Sequence, residues 1–234
     1  MTPNKRSLSL AAALLAGSAL VAVPRAGATV SIAATFDEKV EHAAAIVQGR
    51  VVKQEARFDE ERKFILTYTT FEVEKTLKGG TPNLVTIVTP GGRVGDVQMT
   101  TIGVPQFREG SENVVFLKNT KRGPTVLYFD QGAYDVVTER GEKMVRPVAT
   151  DAVKIDDQRG IAVAPEQPRT LREFETAVGA AERRVRHNRM EMLEKQRQAQ
   201  EVTSIWTTLD ENKWLVFIAL LGVALASVKF LRRS

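Results

Sequence analysis

Two charge-free apolar runs, one near each end, bracket a middle that alternates polar and apolar residues, and this layout first constrains where the ends of the chain can sit. The first run, Leu8 to Val23, follows Lys5 and Arg6 and leads to the small-residue pattern Ala26-Gly27-Ala28. A positive start, a short apolar stretch and small residues make an export signal over 1–28, with cleavage expected after Ala28. An uncleaved anchor needs roughly 17 to 25 apolar residues, and Pro24 and Arg25 close this run early. The second run, Trp214 to Val228, carries no charge and would span about 22 Å at a helical rise of about 1.5 Å per residue. It reaches the roughly 30 Å of a bilayer core when Lys229 snorkels and Phe230 and Leu231 are counted, so 214–231 is expected to cross a membrane. Trp206 and Trp214 at one boundary, and Lys229, Arg232 and Arg233 at the other, fit the aromatic belt and the positive-inside rule. The expected location is a bacterial cytoplasmic membrane, single-pass, with the N-terminal domain outside (periplasm or cell surface) and the C-terminus cytoplasmic. A sorting-type tail that is cut off stays open, although no LPxTG-type motif precedes the run.

The formal net charge of +5 is concentrated at the ends, and residues 29–209 are close to neutral. A nucleic-acid partner is therefore not expected. The chain has no cysteine, so an exported domain must be held by a core and not by disulfides.

The middle reads as mainly β. Asp37 to Ala45 forms a short helix capped by Thr35 or Asp37. It leads into a strand over 46–52, whose Gly49 marks a sharp bend. In the run 64–75, Leu66 and Tyr68 sit at even positions and Phe71 and Val73 at odd ones, which predicts a bulge near Thr69-Thr70. Further strands are expected at 84–89, 98–102, 113–118, 125–129, 134–138 and 143–147, with Arg140-Gly141 turning the last hairpin. Many short strands with one short helix favour a small barrel or sandwich over any βαβ arrangement.

Three blocks carry a family likeness: Ala44-Ala-Ile-Val-Gln-Gly-Arg-Val-Val52, Tyr68-Thr-Thr-Phe-Glu-Val-Glu-Lys-Thr-Leu-Lys-Gly79 and Val85-Thr-Ile-Val-Thr-Pro90. Together they resemble the opening of the netrin-like domains found in tissue inhibitors of metalloproteinases, and the later pattern 89–117 is similar to that of uncharacterised exported bacterial proteins. The resemblance, which covers roughly residues 40–135, implies an OB-like small β-barrel, here assigned to 29–148, and it raises inhibition or regulation of an envelope protease as an alternative function. The inhibitors of that family clamp zinc through an N-terminal cysteine locked by disulfides. This chain has none, and its expected mature start is Thr29.

No set of residues has the types and spacing of a known active site. The two histidines, His42 and His187, do not form a metal-ligand pair, and a lone helical histidine such as His42 is most often a surface or packing residue. The segment Gly91-Gly-Arg-Val-Gly95 lacks the ending of a phosphate loop and reads as a hairpin. The acids at 59–61 and 156–157 lack calcium-loop spacing. The one loop that stands out is Val104, Pro105, Gln106 and Phe107, between two strands of a fold whose loops commonly bind ligands. Against this, the favoured reading of Phe107 itself is that it plugs the end of the barrel, since a buried Phe is the common case.

Residues 149–169 read as a linker with Pro165 and Pro168. Thr170-Leu-Arg-Glu173 is a capping box that opens a long helix to about 203, a helical stalk over 170–209. Its apolar stripe fades after Arg186, so its far half is a solvated face or a weak self-association surface. Residues 210–234 are then a transmembrane anchor with a basic tail. The functional expectation is a non-enzymatic, membrane-anchored binding or scaffolding protein that needs no metal or cofactor and takes an envelope protein or other extracytoplasmic ligand.

Overall fold

A computed structural model describes residues 30–148 and 152–211, together with 213, 214, 217, 218 and 221; the expected signal segment 1–28 lies outside the described residues. In chain order the elements are β1 (Val30–Ile32), α1 (Phe36–His42), β2 (Ala45–Phe58), β3 (Ile65–Lys78), β4 (Leu84–Pro90), β5 (Gly92–Val94), β6 (Val97–Met99), β7 (Glu112–Thr120) and β8 (Gly123–Val126). A 3-10 turn (Phe129–Gly132), β9 (Ala133–Glu139), β10 (Glu142–Pro147), β11 (Val153–Ile155), β12 (Arg169–Thr170) and α2 (Leu171–Glu211) complete the chain. The main sheet runs β12-β10-β9-β7-β2-β3-β4, with β8 paired to β7; β1 with β11 and β5 with β6 form two small separate sheets.

The mainly β character stands, but the closed OB-like barrel does not. β4 and β8 lie side by side without a ladder, joined by a hydrogen bond from the Thr125 hydroxyl to the Val88 carbonyl at 2.6 Å. The Leu127 amide donates to Phe116 of β7, so by alternation Pro124 and Val126 face β4 with their backbone groups. Pro124 has no amide to give, which removes a donor where closure would need one.

Three register shifts bend the β2–β3 pair. Leu77 and Glu74 are the extra residues on β3 at the first two, and Val52 is the extra residue on β2 at the third, opposite Thr70 and Phe71. The expected bulge thus sits at the expected level but on the partner strand, while β3 pairs without a break to β4 from Leu66 to Glu72. Gly49 lies at a shift, where an added Cβ would come within 2.5 Å of the Glu72 carbonyl oxygen.

Two cores share this sheet. On the inner face of the curl, Val47, Val51, Phe71, Ile87, Phe107, Val115 and Leu117 pack together. On the other face, Ile46, Val114, Phe116 and Tyr134 meet Val40 of α1 and Phe174, Val178 and Ala181 of α2. The stalk is therefore corrected: the first three turns of α2 belong to the core, because their apolar stripe matches the sheet face left open beside α1. The capping boxes form as read. Glu38 and Thr35 cap each other reciprocally, as do Glu173 and Thr170.

The membrane expectation is also overturned. No helix among the described residues is long and apolar enough to cross a membrane, which corrects the transmembrane helix and the single-pass location; most of 214–231 lies outside the described residues. The physical reason is that α2, the one long helix described, is rich in charge from Arg183 onward. Of 214–231, only Trp214, Phe217, Ile218 and Leu221 are among the described residues, and they are exposed. The stretch 149–169 also differs from a free linker, since it supplies β11 and Arg169 of β12, and its Glu166 pairs with Lys39 of α1.

Candidate functional site

The segment joining β6 to β7 forms part of an open groove of about 1310 Å³, with Thr101, Val104, Gln106, Arg108 and Ser111 among its lining residues. Asp135, Val137, Thr138 and Lys143 of β9 and β10 line it as well, together with Arg50 of β2 and Arg93 of β5.

The sheet delivers two polar networks to this groove. In the first, the Ser111 hydroxyl donates to Asn113 Oδ1 at 2.8 Å, and Asn113 Nδ2 donates to Asp135 Oδ1 at 2.9 Å. Asn113 and Asp135 face each other across the β7–β9 ladder, on the inner-face parity of Val115 and Ala133. Asn113 is 1% exposed, and a buried amide of this kind must be hydrogen-bonded. Burial pushes the Asp135 carboxyl above its ordinary value, and the Asn113 hydrogen bond with the Arg146 and Arg108 charges offsets only part of this.

The second network centres on Glu112. Its carboxylate accepts from Lys143 Nζ at 2.8 Å through both oxygens and from Gln48 Nε2 at 2.7 Å, and Arg50 lies 3.8 Å away. Alternation puts Glu112 on the opposite sheet face from Asn113, so the groove reaches both faces of β7. Its charges there are already matched within the fold. The Thr101 hydroxyl oxygen is buried without a hydrogen-bond partner.

The loop singled out from the sequence divides. Phe107 is buried and meets the edge of Phe71 at 5.2 Å between ring centroids, so it plugs the inner core. Val104 and Pro105 are buried too and line a second small cavity of about 60 Å³ with Phe129. Gln106 is exposed, and with Val104 it reaches the main groove. Ser111, Asn113, Asp135 and Thr101 did not stand out in the sequence. The signal for two of them was a polar residue at inward parity in each of two predicted strands, which becomes legible only when β7 and β9 are paired.

His42 hydrogen-bonds the Tyr128 hydroxyl through Nδ1 and is not among the groove's lining residues. Among the described residues no group of three or more His, Cys, Asp or Glu could hold a metal ion. Chemically, the groove offers a half-buried carboxylate that accepts N–H donors and arginines that take carboxylates. No family model, curated protein or solved structure matches this chain, and nothing in these comparisons identifies a netrin-like domain.

Proposed function

We propose that this protein is a non-catalytic binding module that takes an extended polar segment of a partner protein in the groove beside Gln106. One observation carries the reading: the Ser111–Asn113–Asp135 chain holds a carboxylate, raised by burial, in the wall of an open groove. A fold keeps a partly desolvated polar group of this kind where a ligand completes its hydrogen bonding. Cations at Arg93 and Arg108 and the acid at Asp135 suit a chain with both signs of charge, with a basic or amide donor set against Asp135. The Ser111 hydroxyl donates its proton to the Asn113 amide oxygen and not to a basic side chain, which supports binding over nucleophilic chemistry.

The test is an array of immobilised peptides of varied charge, probed with the full chain and with Asp135→Asn and Gln106→Trp. Basic and mixed-charge peptides are expected to bind, with a loss of about tenfold or more for Asp135→Asn, since it removes one partner of a half-buried charged contact. Gln106→Trp should block the groove sterically. Absence of binding to every peptide, or binding indifferent to both substitutions, rejects the reading.

A further inference from the structure

β2 is longer than its neighbour β7. β7 pairs with β2 from Ala45 to Arg50, and Ser111 and Gly110 extend the bonding to Val51. Among the described residues, no strand pairs with residues 52–58 on the side away from β3. The direction of the backbone groups there is settled by two bonds. The Asp59 amide donates across the hairpin to the Phe64 carbonyl, whereas the Gln54 amide donates to the Glu109 carboxylate, from outside the hairpin, at 2.8 Å. Alternation therefore turns the amides and carbonyls of Gln54, Ala56 and Phe58 to the open side. An open row of this kind is a template for another strand.

The residues on this edge specify which strand. Lys53, Glu55, Arg57 and Asp59 alternate in charge about Ala56. In an antiparallel pairing centred on Ala56, Glu55 faces the second copy's Arg57, and Lys53 faces the second copy's Asp59. Gln54 then faces the second copy's Phe58, and the two alanines meet at the centre. The Lys53, Glu55 and Arg57 side chains project on one face of the strand, and Asp59 follows just beyond its end. There Arg57 lies over the Tyr68 ring at 3.8 Å from its centroid. Asp59 takes the Lys63 and Phe64 amides through Oδ1, so a cation meets it at Oδ2.

We propose that two copies of this chain join edge to edge through β2, antiparallel about Ala56, in an isologous two-fold contact that makes the two main sheets continuous. The exposed Glu109 side chain releases the Gln54 amide, and the second copy's Phe58 carbonyl takes its place. The Lys53–Glu55 pair within one strand, 3.0 Å apart and exposed, is worth little in water and gives way to the cross-strand pairs. This inference does not depend on the groove.

Sedimentation equilibrium on the full chain tests it, comparing wild type with Glu55→Arg, Arg57→Glu and the double exchange Glu55→Arg/Arg57→Glu. Wild type should form a dimer with concentration, weakened by salt through screening. Each single reversal sets like charges opposite each other twice, by symmetry, and should raise the dimer Kd about tenfold. The double exchange should bring it back to within about twofold of wild type, because it restores both pairs with the signs swapped. Thermal melts run below the wild-type dimer Kd, where association adds no stability, should match wild type and show that the fold is intact in all three variants. A chain monomeric at every concentration, a dimer whose Kd ignores the single reversals, or a double exchange that fails to recover overturns the proposal. Association through the exposed half of α2 would give the second result.

Discussion

Lys39 carries a cationic side chain into the core. It is 1% exposed, its amine donates to the Tyr134 hydroxyl at 2.5 Å and pairs with Glu166, and it lies 5.2 Å from the centre of the Tyr134 ring. Desolvation pushes the amine below its ordinary value, and the charge and hydrogen bond of Glu166 pull it partly back. The Tyr134 phenol is held well above its ordinary range, by burial first and by Glu166 second. Breaking such a pair from one side leaves a buried charge without its counter-ion, which costs more than the pair contributes when whole. Glu166→Gln is expected to destabilise by about 2 kcal/mol in urea unfolding, at the low side for a buried pair because Glu166 is partly exposed. Adding Lys39→Met should recover part of that loss; a double variant no better than the single one contradicts the assignment. The sign with pH follows from linkage. Where Lys39 is neutral in the folded state and still protonated in the unfolded one, the unfolded state binds more protons. Stability then rises with pH, so the deficit of Glu166→Gln should shrink as the pH approaches the amine's ordinary 10.5.

At the scale of elements, local chemistry written in adjacent residues was legible. Thr35 with Glu38, Thr170 with Glu173, and the Arg140-Gly141 turn, where φ is 52° and 86°, all formed as their residue types require, since each satisfies its own backbone without outside help. Elements that depend on distant partners were not legible. β1 and β11 are three residues each and exist by pairing with each other in parallel, and β12 is two residues held against β10. The parity of β3 predicts a bulge on that strand, but Thr69 and Phe71 share one buried face, and the extra residue is Val52 on β2. At Gly49 the backbone of β3 leaves no room for a side chain. Gly49→Ala is expected to cost about 2 kcal/mol in thermal or urea unfolding, because its Cβ would meet backbone that cannot move aside. A cost under about 0.5 kcal/mol, the range of a surface substitution, would show that the strands can part there.

At the scale of the whole molecule, β2 and β7 bury both faces. Successive residues Ala45, Ile46 and Val47, and Val114, Val115 and Phe116, alternate between the two cores. The cores therefore share two strands and should melt together. Phe71→Ala on the inner face and Phe174→Ala on the helix face should each cost about 3 to 5 kcal/mol while leaving one calorimetric transition. Two separable transitions in either variant would mean that the faces fold independently. The two networks of the groove come from the same arrangement, since they are the polar ends of the strand rows whose apolar parts form these cores.

The amino-acid order alone determined the mainly β class, most strand positions, both helix starts and the lack of disulfides, because propensity, capping and parity act over a few residues. Tertiary structure decided that the curl stays open at Pro124, that α2 joins the core through Phe174, and that Phe107 turns inward. It also decided that Ser111, Asn113 and Asp135 meet. Each of these depends on which surfaces far apart in the chain exclude water together, and no local pattern encodes that pairing.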